Sequence, residues 1–375
     1  MWPRNWATSS YHSLSIRICP WSTWTGFAIC SSESWATDLA ASAGRAGAKY
    51  AGIAVGIALL WVYFQYFFDF HAAITHFAQA DWALLGSSLA SFLVAIAVRC
   101  VKWTYIVRTS APMTWTAGFH VMFAANMANF LFPVRMGEVI RLYLAKSVAA
   151  VPYATSVSAT LIDRFSALLT LMLAFSVYPA TAFAGIDPAK YGWVFGLIAV
   201  ASCIFLLLGD VIGRSLPSAT RQVLSGLGFR SDRVERLVSS RAFGFVATTL
   251  VNCHLPRYGW RVTGIVFALS FLFLLCDAIT FFFLLNAFSL PLSLLQAVVA
   301  ATLFNLAFVL PSPPAQLGTA EMLPVLVYAY GFGLSEEVVA SSALLWHFLS
   351  AAVILALGGY STYRLGARLV YRATE

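Results

Sequence analysis

The chain has 375 residues, 60% of them hydrophobic and only 10% charged, with mean hydropathy +0.80, whereas a soluble domain carries about 25% charge. That composition describes an integral membrane protein, and it leaves no stretch for a soluble kinase, Rossmann or acetyltransferase module, which needs on the order of 100–150 residues. The 23 Lys+Arg against 15 Asp+Glu give +8; on a soluble protein this would suggest nucleic acid, but here it reads as loop bias beside an anionic membrane, and no nucleic-acid partner is expected.

Residues 1–48 differ from the rest, with Trp2, Trp6, Trp21, Trp24 and Trp35 scattered among Ser and Thr and no helical or strand period. No clean apolar stretch with a small-residue cleavage site follows Arg4 or Arg17, so this is not a signal peptide. Two readings fit: a disordered cytoplasmic tail, or translated sequence upstream of the true start. Residues 49–375 are expected to form a single membrane domain.

A bilayer core of about 30 Å needs roughly 20 apolar residues. Six runs qualify: Ala51–Phe68, Trp82–Val101, Ala154–Tyr178, Tyr191–Ile212, Val262–Leu285 and Glu337–Tyr360. Two more apolar segments are interrupted. Gly118–Phe132 runs into Pro133-Val134-Arg135-Met136-Gly137-Glu138, and Pro291–Leu310 runs into Pro311-Ser312-Pro313-Pro314-Ala315-Gln316-Leu317-Gly318.

Basic residues concentrate in cytoplasmic loops. Arg45 and Lys49 place the N-terminus inside, and the loop with Asp69, His71, His76 and Asp81 falls outside. Arg99, Lys102 and Arg108 then read as an inner loop, and so do Arg135, Arg141 and Lys146 if the first broken segment dips in and returns. Asp187–Lys190 falls outside. The connection of about 213–261, with eight arginines from Arg214 to Arg261, falls inside, as do Arg364, Arg368 and Arg372; Glu336 and Glu337 lie outside. Six crossings plus two re-entrant or broken-helix hairpins put every basic loop on one side except Lys190, with Arg164 inside a span. Counting each broken segment as a full crossing gives a parity problem. The pattern from Arg221 to Val238 reads as an interfacial amphipathic helix.

The broken segments share an order of residues: Asn126 and Asn129 before Pro133, Gly137 and Glu138, and Asn305 before Pro314, Gly318 and Glu321. Pro stops a helix and Gly permits a reversal, so both are suited to a chain that turns inside a membrane. Paired interruptions in two halves point to a binding site at an inverted-repeat interface. A glutamate at the start of the following helix also suits that helix's positive end, so capping explains Glu138 and Glu321 as well as function does.

With Arg141 after the first motif, Asp163-Arg164 in the next span and Leu310-Pro311…Gly318-Thr319-x-Glu321 in the second, the sequence resembles the flippase-like membrane family that includes the transmembrane region of bacterial lysylphosphatidylglycerol synthases. The likeness covers about Lys49 to Arg372. It implies lipid translocation or lipid-linked envelope work. A lysyl-transferring synthase carries a soluble catalytic domain after its membrane part, and here the sequence stops at Glu375, so aminoacyl transfer is not expected. The glycine-rich ending common in the family's second motif is replaced by Pro313-Pro314-Ala315-Gln316.

Ionisable residues inside a membrane are functional candidates by default. Adjacent Asp163 and Arg164 point in different directions on a helix and cannot simply neutralise each other. Arg164 has Glu138, Glu321 or a lipid phosphate as candidate partners; Asp277 has Arg164, a proton or a neighbouring helix end; His347 reads as a hydrogen-bonded packing residue. The candidate substrate-binding set is therefore Asn126, Asn129, Arg135, Glu138, Arg141, Asp163, Arg164, Asp277, Asn305 and Glu321. His71 and His76 have the wrong interval for a helical metal pair, and the six cysteines show no metal spacing and read as reduced thiols, so no metal or cofactor is expected. Three functions remain open: translocation of an anionic or lipid-linked substrate, an embedded lipid-modifying enzyme, and a non-transporting accessory protein of an envelope or isoprenoid-lipid pathway.

Overall fold

The computed structural model describes residues 57–132, 136–176, 188–227, 229–307 and 313–374. The N-terminal 48 residues, Pro133 to Arg135, Asp187 and the Leu310-Pro311-Ser312 step lie outside the described residues. Those described are helical, with no strand among them. The helices are α1 (Ile57–Tyr66), α2 (Phe70–Gln79), α3 (Trp82–Arg108), α4 (Trp115–Leu131), α5 (Met136–Ala149), α6 (Tyr153–Ser176), α7 (Pro188–Gly226), α8 (Ser231–Val238), α9 (Arg241–Asn252), α10 (Trp260–Ala287), α11 (Leu294–Ala307), α12 (Thr319–Pro324) and α13 (Glu336–Thr374). A π-helical turn, Val325–Tyr330, continues α12.

Five helices are long and apolar enough to cross a membrane: Trp82–Arg108, Tyr153–Leu173, Gly196–Gly226, Trp260–Ala287 and Glu336–Gly366. The pair α1 and α2, bent by 81°, counts as a sixth if the two together make one span. Five of the six expected crossings are thus present as long apolar helices, with shifted ends, and the first, Ala51–Phe68, corresponds to part of the bent pair. The all-helical, multi-pass fold class is as the sequence indicates.

The central pair is α3 against α10. Apolar side chains gain little by leaving lipid for protein, so helices in a membrane are held by close packing and interhelical hydrogen bonds. Ser88 Oγ donates to Thr280 O at 2.8 Å, and Ser91 Oγ donates to Cys276 O at 2.8 Å. One buried apolar cluster, including Trp103, Met122, Ile162 and Val266, lies to one side. A second, including Tyr63, Leu274, Ala300 and Tyr328, lies to the other.

The first broken segment forms a helical hairpin, α4 against α5, while the second lays α11 against α10 and α12 against α13. In the first, α4 and α5 pack so closely that a Cβ on Gly137 would stand 2.0 Å from the Ala125 carbonyl oxygen and 2.5 Å from Asn129 Oδ1. Only glycine fits there, which is the physical reason for a glycine at this point of the motif. In the second, α11 leads to a turn in which Ala315 and Gln316 both hold left-handed backbone (φ 54° and 56°), and Gly318 (φ 76°) caps α12. Two consecutive non-glycine residues in this region store strain, of order 1–3 kcal/mol each. α13 lies along α4, where Gly358 abuts Met127.

Several expectations are corrected. The Asp69–Asp81 segment is no open loop: Asp69 accepts from the backbone of His71 at 2.7 Å to cap α2, and Asp81 accepts from Ala83 at 2.8 Å to cap α3. His71 and His76 thus belong to a helix, and His76 Nδ1 meets Ser341 Oγ on α13 at 3.1 Å. The basic stretch after residue 213 is helical. At about 1.5 Å per residue, the 39 residues of α7 extend about 58 Å, well beyond a bilayer core. Gly209 and Gly213, one turn apart, let α9 fold back against it, since a Cβ on Gly209 would sit 2.7 Å from Leu250 O. Arg221 grips Glu235 of α8 with two hydrogen bonds of 3.0 Å, which hold the exposed Glu235 carboxyl below its usual range. The described cysteines, Cys100, Cys203, Cys253 and Cys276, are free thiols.

A basic cavity between two helical hairpins

Lys102 and Arg99 are the largest departure from the sequence reading. The sequence places them in an inner loop, but α3 runs on to Arg108 and takes both into the helix packing. Lys102 is 2% exposed, and its ammonium finds three acceptors: Asp163 Oδ1 at 2.9 Å, Asp163 O at 3.0 Å and Ser270 Oγ at 2.9 Å. An ammonium has three N–H donors and no acceptor, so this group is saturated. It ties α3 to α6 and α10, and it occupies Asp163.

The neighbouring Arg164 turns away from Asp163, as helix geometry requires, and donates Nη2 to Glu138 Oε1 at 2.6 Å. Glu138 lies in the first turn of α5 and also pairs with Arg141 one turn on. Arg141 is 2% exposed and lies over the Trp103 ring, 5.2 Å from its centroid. Glu321, in the first turn of α12 and 1% exposed, is not part of this cluster. Its Oε1 is 2.6 Å from Nδ1 of His347 on α13, and its Oε2 has no hydrogen-bond partner among the described residues. Asp277 on α10 does not pair with Arg164 either; it accepts from Asn305 Nδ2 at 2.8 Å, and that amide also donates to Ala301 O.

A cavity of about 270 Å³ opens among these groups. Its walls come from α3, α4, α6, α10, α11, the Gln316 turn, α12 and α13. Among the expected residues, Asn126, Asn129, Arg164, Asp277 and Asn305 line it. Glu138, Arg141, Asp163 and Glu321 are not among its lining residues and serve as partners of polar groups around it; Arg135 lies outside the described residues. Four polar lining residues were absent from the expected set: Arg99, Gln316, His347 and Ser350. The signal for Arg99 was present in Trp103, Tyr105, Ile106 and Val107, an apolar helix pattern that continues beyond the charges. No comparable local signal marks His347, because its partner is 26 residues away.

Charge and polarity are unevenly arranged in this space. Arg99, Arg164 and Asp277 are the charged residues of its lining, and Lys102, Arg141, Glu138 and Asp163 stand behind it. Arg99 makes no ion pair among the described residues; its guanidinium rests 6.0 Å from the Phe273 ring centroid and faces the cavity. Phe92, Phe130, Phe273, Phe281, Phe304 and Trp346 supply the apolar wall. The arrangement offers cationic and hydrogen-bonding groups set among aromatic side chains. No group of three or more potential metal ligands is present among the described residues.

The fold and cavity define a multi-pass helical membrane protein with a partly polar binding space between two broken segments. Residues 50–358 match the family described as the lysylphosphatidylglycerol synthase TM region, and the chain belongs to that family. It is also similar to a UPF0104 membrane protein of Methanothermobacter thermautotrophicus, at 22% identity over 285 residues that cover 75% of this chain and 83% of that protein. No solved structure matches. The protein is thus a membrane protein of a lipid-related family, and the matched region is the membrane part of the synthase for which the family is named.

Proposed function

We propose that this domain takes the anionic headgroup of a lipid or lipid-linked substrate into the cavity between its hairpins and carries it across the bilayer, without chemical conversion. The observation that carries this reading is Arg99, a cation facing a cavity inside the helix packing with no direct ion pair among the described residues. A charge at the bilayer centre costs about 2.5–3.5 kcal/mol on insertion scales, so a cation without a direct ion pair is suited to an anion from outside. Arg164 lines the same cavity, and its planar donor fork matches a phosphate. The volume lies just below the range of about 300–1,000 Å³ for drug-sized ligands, which suits a headgroup whose chains remain in lipid. The proposed setting is the cell's inner membrane, with both termini and the 213–261 segment in the cytoplasm.

The test is reconstitution of the full chain into liposomes of phosphatidylcholine carrying fluorescent phosphatidylglycerol or phosphatidylethanolamine. Quenching of the outer leaflet measures movement, and mass spectrometry of the extracted lipids measures conversion. Accelerated movement of the anionic probe is expected. Conversion in place of movement would assign an embedded enzyme, and neither outcome would assign an accessory role.

A further inference from the structure

The two hairpins treat their glutamates differently. Glu138 is held by two guanidinium groups, Arg141 and Arg164, whose charge is fixed at any physiological pH. Glu321 occupies the matching place in the second hairpin, but its partner is the imidazole of His347, a side chain type whose charge changes between about pH 5 and 8. Both pairs span 26 residues of sequence, from a hairpin glutamate to a basic residue of a following helix. The repeat has a permanent ion pair in one half and a titratable one in the other.

The titratable half is placed where a proton can reach it and have an effect. His347 lines the cavity. With Nδ1 committed to Glu321, Nε2 is the ring nitrogen left to exchange a proton with the cavity. Glu321 is buried and uses only one of its oxygens among the described residues, so without a proton on the pair it is a buried carboxylate lacking a counter-charge. Phe130 of α4 stands edge-on to the imidazole, 5.9 Å between ring centroids, and carries no charge. The charged groups facing the space are Arg99 of α3, Arg164 of α6 and Asp277 of α10, with Asn126 and Asn129 the polar side chains of α4. Tyr63 of α1, whose hydroxyl donates to Ala340 O, is electrostatically coupled to Glu321. Glu321 lies between a strained turn and the Pro324 and π-helical turn that follow it.

We propose that the Glu321–His347 pair is a proton site linked to occupancy of the cavity, so that the anionic headgroup and one proton bind together. The reasoning rests on the reading of the cavity as a headgroup site. An anion held by Arg99 and Arg164 lies in the same cavity as the imidazole and favours its protonated form; by reciprocity, protonation tightens the anion by the same factor. A phosphodiester keeps a single negative charge throughout this pH window, so any pH dependence of its binding belongs to the protein.

The experiment measures binding of short-chain fluorescent phosphatidylglycerol to the purified full chain from pH 5.5 to 8.5, together with proton uptake on binding in weak buffer. The wild type is expected to bind at least fivefold more tightly at pH 5.5 than at pH 8.5 and to take up protons as it binds. His347→Gln and Glu321→Gln are expected to bind with a flat profile, whereas Asp277→Asn, at a residue that lines the cavity, is expected to alter affinity while still binding more tightly at low pH. Loss of folded protein in either of the first two variants leaves the wild-type proton uptake and the Asp277→Asn slope as the deciding measurements. Saturable binding with no pH dependence and no proton uptake overturns the proton site and leaves the headgroup site standing. A slope abolished by Asp277→Asn assigns the proton to Asp277 and also overturns it. Absence of saturable binding at every pH overturns the headgroup reading and the proton site together.

Discussion

Lys102 on α3 and Asp163 on α6 form an ion pair of 2.9 Å in which both side chains are at most 5% exposed. Because the ammonium also holds Asp163 O and Ser270 Oγ, the pair fastens three helices at one point. This assigns Asp163 to the scaffold and leaves Arg164, next in sequence, to the cavity.

Removing one partner of a buried ion pair strands the other, at a cost of about 3–5 kcal/mol, whereas replacing both with uncharged groups is often neutral. Lys102→Met is therefore expected to lower the thermal midpoint of the detergent-purified protein sharply. Combined with Asp163→Asn it should recover most of that loss. Fluorescence-detected size-exclusion profiles after graded heating check both. Equal instability of the single and double variants would mean that the pair does not act as a unit.

The crossings were legible because a run of about 20 apolar residues has few other uses, and the hairpins because Pro133, Gly137, Pro314 and Gly318 break such runs. Charge was the less reliable guide. Arg99 and Lys102 read as the start of a loop because sequence shows neither the acceptors that α6 and α10 provide for Lys102 nor the cavity that Arg99 faces. Asp69 and Asp81 likewise read as an acidic loop, although an aspartate two residues before a backbone N–H it can accept from is also a helix cap. Five residues of the cavity lining, the motif asparagines with Arg164 and Asp277, were legible from the sequence. The Glu321–His347 contact was not, because it depends on how α12 lies against α13.

The fit of the first hairpin depends on Gly137, where the obstruction to a side chain is the backbone oxygen of Ala125. Backbone inside packed helices cannot swing aside as a long side chain can. Gly137→Ala is expected to destabilise by at least the 1–3 kcal/mol typical of overpacking and to reduce transport. Gly244→Ala, on α9 with open space around its Cβ position, should do neither. Thermal unfolding and liposome transport, measured on both variants side by side, supply the check.

Arg99 should behave in the opposite way to Lys102. No carboxylate among the described residues is left stranded when it is replaced, so Arg99→Gln is expected to shift the thermal midpoint by no more than about 2 °C, the equivalent of under 1 kcal/mol. A hydrogen bond to a charged group contributes about 1.5–3 kcal/mol, so binding of the anionic probe should weaken roughly 10- to 150-fold. Normal binding by a stable Arg99→Gln protein would remove the observation on which the proposed function rests.

Orientation can be tested through the ends of the long helices. The 39 residues of α7 cannot all lie within a hydrocarbon core of about 30 Å, and the end that carries Arg214 and Arg221 leads into the strongly charged α8. The positive-inside rule assigns that end to the cytoplasm, together with the end of α13. Single cysteines at Arg230 and Arg368, in a chain freed of its native cysteines, are expected to react with an impermeant maleimide only after the membrane is opened. A cysteine at Asp187 should react in intact cells. Lys146 decides the first hairpin: α4 and α5 pack side by side as two limbs joined by a short break, so the end of α5 returns to the side from which α4 entered, and Lys146→Cys should be protected in intact cells. Labelling of Lys146→Cys from outside would mean that α4 and α5 together cross the membrane, and the two broken segments would no longer be related by inversion.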